Sequence, residues 1–192
     1  QDLVDNTSDL IQLVSLDGKF LFVNRAWRER LGYDLDELMS LTLKDILWPE
    51  AAEATLQLLK RVQEGEKVPD FETVFWNKQH KKIYLTGSVT CRYENDKPTA
   101  FRCILHDATS RVRAERSQSL YYSIANWMIK TQDLDEFYAR VHEELGKVID
   151  ARNFFIALYD PTKSYMYFPY YVDEYFKGNV RFTKRKIGNG LT

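Results

Sequence analysis

Thr99-Ala100-Phe101-Arg102-Cys103-Ile104-Leu105-His106 is an apolar, strand-like run; Asp107-Ala108-Thr109 follows it, and Ser110 to Gln118 is charged and helix-prone. The three residues Asp107 to Thr109 therefore mark a point where a strand hands over to a helix. Two more extended runs precede this strand, Phe71 to Trp76 and Ile83 to Tyr93. Polar turns at Asn77 to Lys82 and Glu94 to Pro98 join them, so the three read as consecutive antiparallel strands.

Further back, Leu10 to Ser15 and Phe20 to Asn24 are short strand-like runs separated by Leu16-Asp17-Gly18-Lys19. Asp-Gly supplies the residue types a tight hairpin turn needs. Asn24 stands at the N-cap of a helix over Arg25 to Leu31, and Gly32 stops it because glycine alone adopts left-handed dihedrals cheaply. Asp34 with Glu37 forms a capping box for a second start. Thr42 caps a short third turn, Leu43 to Leu47, and Pro49 opens a longer helix that ends before Gly65.

Strand, strand, three short helices, a longer helix and three strands predict an α+β domain. Its five-stranded antiparallel sheet should carry its helices on one face. The order and spacing of Asp17-Gly18, Val23-Asn24, Leu31-Gly32-Tyr33 with Glu37-Leu38, Ile46-Leu47-Trp48-Pro49-Glu50, Phe71-Glu72 and Asp107-Ala108-Thr109 resemble the PAS fold, over Leu3 to Thr109. That resemblance implies a sensor domain at 1–109 whose signal relay is Asp107, Thr109 and Asn24. Asp107 would accept hydrogen bonds or a salt bridge at the strand end, and Thr109 would cap the exit helix through its hydroxyl.

After Thr109, Leu120, Ile124 and Trp127 fall on one helical face, with Tyr121, Ala125 and Met128 on an adjacent one. Residues 110–131 thus read as a connecting helix with two apolar faces. One covers a domain, and the other either meets a second copy or is buried in its own domain. Asp133 with Glu136 is a further capping box, and Leu134, Phe137, Val141, Leu145 and Val148 mark a helix running to Ile149. Strand-like runs follow at Asn153 to Tyr159 and Tyr165 to Tyr170, with Asp160 to Ser164 as their turn. This succession is similar to the start of a GAF domain, a partial α/β unit at 132–192. It stops mid-pattern at Thr192, where the sequence reads as cut from a longer protein. Lys177 to Lys186 and Gly188-Asn189-Gly190 read as loop.

Composition narrows the function classes. A content of 44% hydrophobic and 14% aromatic residues is ample for real cores. With 27 Lys and Arg against 28 Asp and Glu, no part is basic enough to bind nucleic acid. No run approaches the roughly 20 apolar residues of a membrane span. Cys91 and Cys103 form no CxxC pair, which fits a reducing cytoplasm. They fall on the strands of the last hairpin, where proximity would permit a redox switch, although packed strand cysteines usually act as small hydrophobes. His80, His106 and His142 lack metal-ligand spacing.

No nucleophile with a base, phosphate loop or kinase motif is present, so no catalytic site is expected. Val141-His142-Glu143-Glu144-Leu145 is similar to the phosphoacceptor box of histidine kinases, but lacks the Ser or Thr before the histidine and has Lys147 where proline belongs. His142 is expected to be an ordinary polar-face residue. The PAS resemblance argues against two cofactors: Leu43 to Trp48 has no cysteine for a covalent flavin switch, and Pro49 to Glu64 has no histidine for haem iron. Trp27, Tyr33, Trp48 and Phe75, with Trp76, would stack on a flat ligand or else fill the core. The cofactor stays open, a reversible flavin or small metabolite included. Together the resemblances imply the cytoplasmic input region of a sensor histidine kinase, homodimeric, with a C-terminal effector. The alternatives are the input region of a diguanylate cyclase or phosphodiesterase, and a ligand-free dimerisation module.

Overall fold

The structure, a computed structural model, describes residues 7–130, 133–162, 165–175 and 185–186. It divides into two compact units, Gln1–Arg113 and Ala114–Thr192.

The first unit begins with β1 (Leu10–Ser15) and β2 (Phe20–Val23), paired through the expected tight turn, where Gly18 takes a φ of 91°. Helix α1 (Arg25–Leu31) starts at Asn24 and stops at Gly32, whose φ is 82°. Asp34 and Glu37 exchange side-chain and backbone bonds around α2 (Leu35–Leu38) as a capping box. At α3 (Leu43–Ile46), the Asp45 carboxylate accepts from both the Thr42 amide and hydroxyl, each at 2.7 Å. Pro49 opens α4 (Pro49–Gln63) at its first turn, where a missing N–H costs nothing.

Three long strands complete the sheet: β3 (Val68–Trp76), β4 (Lys82–Glu94) and β5 (Lys97–Asp107), giving the order β2-β1-β5-β4-β3 with antiparallel pairing throughout. β3 starts earlier than expected because Pro69, which reads as a strand breaker, sits on the edge strand beside a register shift between Val68 and Phe71. The β4–β5 turn is also tighter than the expected Glu94 to Pro98. Asn95 and Asp96 take φ values of 51° and 61°, so two left-handed residues suffice and Glu94 pairs with Lys97.

Alternation fixes the inner face. Leu10, Gln12 and Val14 of β1 lie opposite Leu105, Cys103 and Phe101 of β5, and all six are buried. Trp27, Leu31, Ile46, Leu59 and Val62 from the helices join the same core, so the helices cover one face, as the apolar period of the strands requires.

The exit helix α5 (Thr109–Lys130) is continuous. The first compact unit extends to Arg113, beyond Thr109, because the first turn of α5 belongs to it: the Val112 amide bonds the Ala108 carbonyl, and Arg111 lies 4.0 Å from Glu72.

In the second unit, α6 (Leu134–Gly146) precedes β6 (Phe154–Asp160), β7 (Tyr165–Val172) and β8 (Arg185–Lys186), an antiparallel sheet in that order. Three expectations are corrected here. The Asp133 carboxylate accepts from the Asp135 amide at 2.9 Å, while Glu136 turns down the helix to Arg140, so the pair is not a capping box. The helix ends at Gly146, and Val148 and Ile149 sit in a turn bonded back to Leu145. Arg185 and Lys186, read as loop, pair with Met166 and Tyr165; the rest of Lys177 to Lys186 and Gly188-Asn189-Gly190 lies outside the described residues.

Candidate functional site

The strand-to-helix junction gathers polar groups from four elements. Asp107 ends β5, and its carboxylate accepts the Thr109 amide at 2.8 Å, taking up one of the unpaired donors of the first turn of α5. The same carboxylate pairs with the Arg30 guanidinium from the last turn of α1. The roles differ from the expectation. Asp107, not Thr109, caps the helix; Thr109 is its first residue, buried, and its hydroxyl accepts the Tyr84 amide of β4 at 3.1 Å. The Ala108 amide donates to the Tyr84 carbonyl at 2.9 Å, so both backbone groups of Tyr84 are tied to the junction.

Partial burial alone would push the Asp107 carboxyl up, but the Thr109 hydroxyl and amide and the Arg30 charge together outweigh it and hold the group below its ordinary value. A folded value below the unfolded one means the stabilisation is complete above the ordinary carboxyl range and is lost as pH falls through the folded value. The first unit should therefore lose this contribution only below roughly pH 4. Thermal midpoints of the parent and Asp107→Asn from about pH 7 down to about pH 3 check this. The two curves should converge on acidification; a constant gap would show that the charge contributes nothing.

Asn24 anchors the other end of α1. It is fully buried; its Oδ1 accepts the Trp27 amide at 3.1 Å and the Ile11 amide at 3.0 Å, and its Nδ2 donates to the Asp9 carbonyl at 2.8 Å. One short helix thus joins β1, through Asn24, to the exit junction, through Arg30. Arg30 was missed in the sequence, where a cation in a last helical turn reads as an ordinary dipole partner. Gln12 was missed as well: buried on β1, it accepts the Trp27 indole N–H at 2.8 Å.

None of the four aromatic pocket candidates lines the clefts described below. Trp27 and Phe75 are buried core residues, Trp27 edge-on to Phe20 at 5.2 Å and tilted against Tyr33 at 6.2 Å. Trp48 instead packs on Trp76 at 4.2 Å, with the Lys82 ammonium 3.4 Å above its ring. Its amide bonds the Val74 carbonyl, which covers part of the free edge of β3. These rings are spent on packing. Open clefts lie elsewhere: one between the β1–β2 turn and α4, and an apolar one beside Val68, Val89, Cys91 and Tyr93.

Cys91 and Cys103 share the inner face but face Phe101 and Val89 respectively, a diagonal separation of roughly 7–8 Å that is long for a disulfide. Burial pushes the Cys103 thiol up to about 12 and raises Cys91 as well, so the thiolate that exchange chemistry requires is scarce. Iodoacetamide at neutral pH should label Cys91 slowly and Cys103 only after unfolding. Rapid native labelling of Cys103, read by mass spectrometry, would contradict this.

On α5, Leu120, Ile124 and Trp127 are half-buried, whereas Tyr121, Ala125 and Met128 are exposed, together with Tyr122 and Ile129. His142 is not on a polar face. Its ring stacks on Phe154 at 4.9 Å, Nε2 donates to the Ala151 carbonyl at 2.7 Å, and Nδ1 lies 3.0 Å from the Tyr170 hydroxyl, which donates to it in that tautomer. With both nitrogens engaged, it has none to offer a phosphoryl group. Among the described residues no cluster of three or more His, Cys, Asp or Glu side chains suits a metal, and no helix is long and apolar enough to cross a membrane.

Comparison with known proteins agrees with this architecture. A family model described as PAS fold matches residues 4–113, more than half of the sequence, and the chain belongs to that family. It is 27% identical over 106 residues to the probable diguanylate cyclase DgcE of Escherichia coli, an alignment covering 54% of this chain and 10% of that protein. The chain thus spans about a tenth of that relative. A sensory box histidine kinase/response regulator structure from Burkholderia thailandensis superposes with a TM-score of 0.52 at 15% identity, covering 64% of this chain and 94% of that one. The PAS domain of a Colwellia psychrerythraea protein gives 0.51 at 17% identity, covering 57% and 93%. At such identities the likeness is one of fold.

Proposed function

We propose that this chain is a sensory input segment of a longer cytoplasmic signalling protein. The sensor domain, residues 1–109, biases an output through the Arg30–Asp107–Thr109 junction and the connecting helix 110–131. The observation that carries this is the junction itself: one carboxylate holds both the first amide of the exit helix and a cation of α1, so any change in the α1–sheet packing alters the start of α5. A ligand shifts such an equilibrium only by its different affinity for the two states.

Residues 132–192 are proposed to be the first part of a GAF domain, on the strength of the helix, strand, turn, strand succession. The Leu120, Ile124 and Trp127 face of the connecting helix is proposed to pair with the same helix of a second copy, giving a homodimer, with the exposed Tyr121, Ala125 and Met128 beside it. The output is proposed to be a C-terminal histidine kinase. A second reading, a diguanylate cyclase output, is favoured by the relative in Escherichia coli. A module that only dimerises is favoured by the filled aromatic core; a stable dimer whose output ignores the junction would support it.

Arg30→Ala and Asp107→Ala in the full-length protein test the relay. Each should change basal output, measured as autophosphorylation or cyclic dinucleotide synthesis, by roughly fivefold or more. The double variant should go no further than the singles, because the two residues act as one pair. Unchanged output in folded variants would overturn the relay.

A further inference from the structure

The cleft between the β1–β2 turn, the start of α3 and one face of α4 has a volume of about 350 Å³, within the range of small-molecule sites. Its floor is apolar: Val14, Leu43, Leu59 and Phe101 line it, and all four belong to the buried core. Leu56, Leu59, Lys60 and Gln63 reach it from α4, spaced by three and four residues and hence on one helical face.

Its rim is fixed before any ligand arrives. The Leu43 amide donates to the Gly18 carbonyl at 2.8 Å, and Lys19 bridges Thr42 in antiparallel fashion, so the hairpin turn is stitched to α3. The rim is also cationic. The carboxylate among the lining residues, Asp17, is engaged by the Ser15 hydroxyl and lies 3.3 Å from the Lys19 ammonium. Lys44 and Lys60, also lining the cleft, have no ion-pair partner among the described residues. Two uncompensated ammonium groups above an apolar floor favour a ligand that is negative at one end and greasy at the other.

We propose that this cleft binds a small amphipathic carboxylate, its anionic end at the Lys44 and Lys60 rim and its apolar body along Leu56, Leu59 and Phe101. This deepens the sensory reading by naming a ligand class, yet it is tested on binding alone, so its failure is distinct from failure of the relay. Octanoate is the probe, titrated into the methyl-labelled chain and followed by nuclear magnetic resonance.

Saturable shifts should appear at Val14, Leu43 and Leu59. Acetate, with the charge but no body, and octanol, with the body but no charge, should bind at least roughly tenfold more weakly. The exposed changes Lys44→Gln and Lys60→Gln together should weaken octanoate roughly tenfold and leave octanol unchanged. Absence of saturable shifts in the cleft, saturation elsewhere on the chain, or undiminished octanoate binding by the double variant would each overturn the proposal.

Discussion

Asn24→Ala should lower the stability of the first unit by about 3 kcal/mol and its thermal midpoint by roughly 10–20 °C. The substitution removes an N-cap, worth about 1 kcal/mol by itself. It also strands the Ile11 amide and the Asp9 carbonyl, which the Asn24 side chain satisfies across 13 and 15 residues of sequence. Buried groups left without partners each cost about 1–3 kcal/mol. Asn24→Asp separates these contributions, since a carboxylate still accepts both amides but faces the Asp9 carbonyl with no donor. It should therefore be destabilising too, and more so at neutral pH than in acid. Denaturant melts of the three proteins decide the matter; a loss below about 1 kcal/mol for Asn24→Ala would mean that Asn24 is only a helix cap.

Gly87→Ala should be more damaging, preventing the first unit from folding or costing more than about 3 kcal/mol. Gly87 lies in the middle of the sheet, opposite Phe71 on one side and Leu105 on the other. A Cβ placed on it would stand 2.0 Å from the Ile104 carbonyl oxygen and 2.9 Å from Leu105 Cα. Both are backbone atoms of β5, so no side-chain rotation relieves the clash and the two strands must separate. Ser88→Ala, one residue along on the opposite face, is the control and should change stability by less than about 0.5 kcal/mol. A soluble Gly87→Ala protein with parent-like melting would refute the close approach. Glycine inside a strand pattern is itself a signal of such an approach, and at Gly87 that signal was legible but went unused.

The junction shows where local reading stops. Asp107 and Thr109 are legible as cap-type residues because an aspartate and a threonine beside a helix start have few other local uses. Which of them caps depends on the approach of β4, whose Tyr84 amide takes the Thr109 hydroxyl and leaves the helix amide to Asp107. Arg30 is separated from Asp107 by most of the domain, so nothing in its neighbourhood marks it as that residue's partner. The aromatic candidates stayed open between pocket and core for a related reason. A tryptophan that fills a core and one that lines a pocket have the same local pattern, and only the close packing of Trp27 with Gln12, Phe20 and Tyr33 distinguishes them. His142 differs likewise: its stacking on Phe154 comes from a strand that its helical period does not reveal.

The sequence by itself determined the order of elements in the first unit, the turns at Asp17-Gly18 and Gly32, the cap at Asn24 and the handover at Asp107 to Thr109. These depend on periodicity and backbone conformation, which act over a few residues. Only the tertiary structure decided the partners: Arg30 with Asp107, Gln12 with Trp27, Tyr84 with Thr109, and two lysines at one cleft with no ion-pair partner among the described residues. Such pairings bring together groups distant in sequence, and their energies depend on burial and distance, which exist only once the sheet and helices have packed.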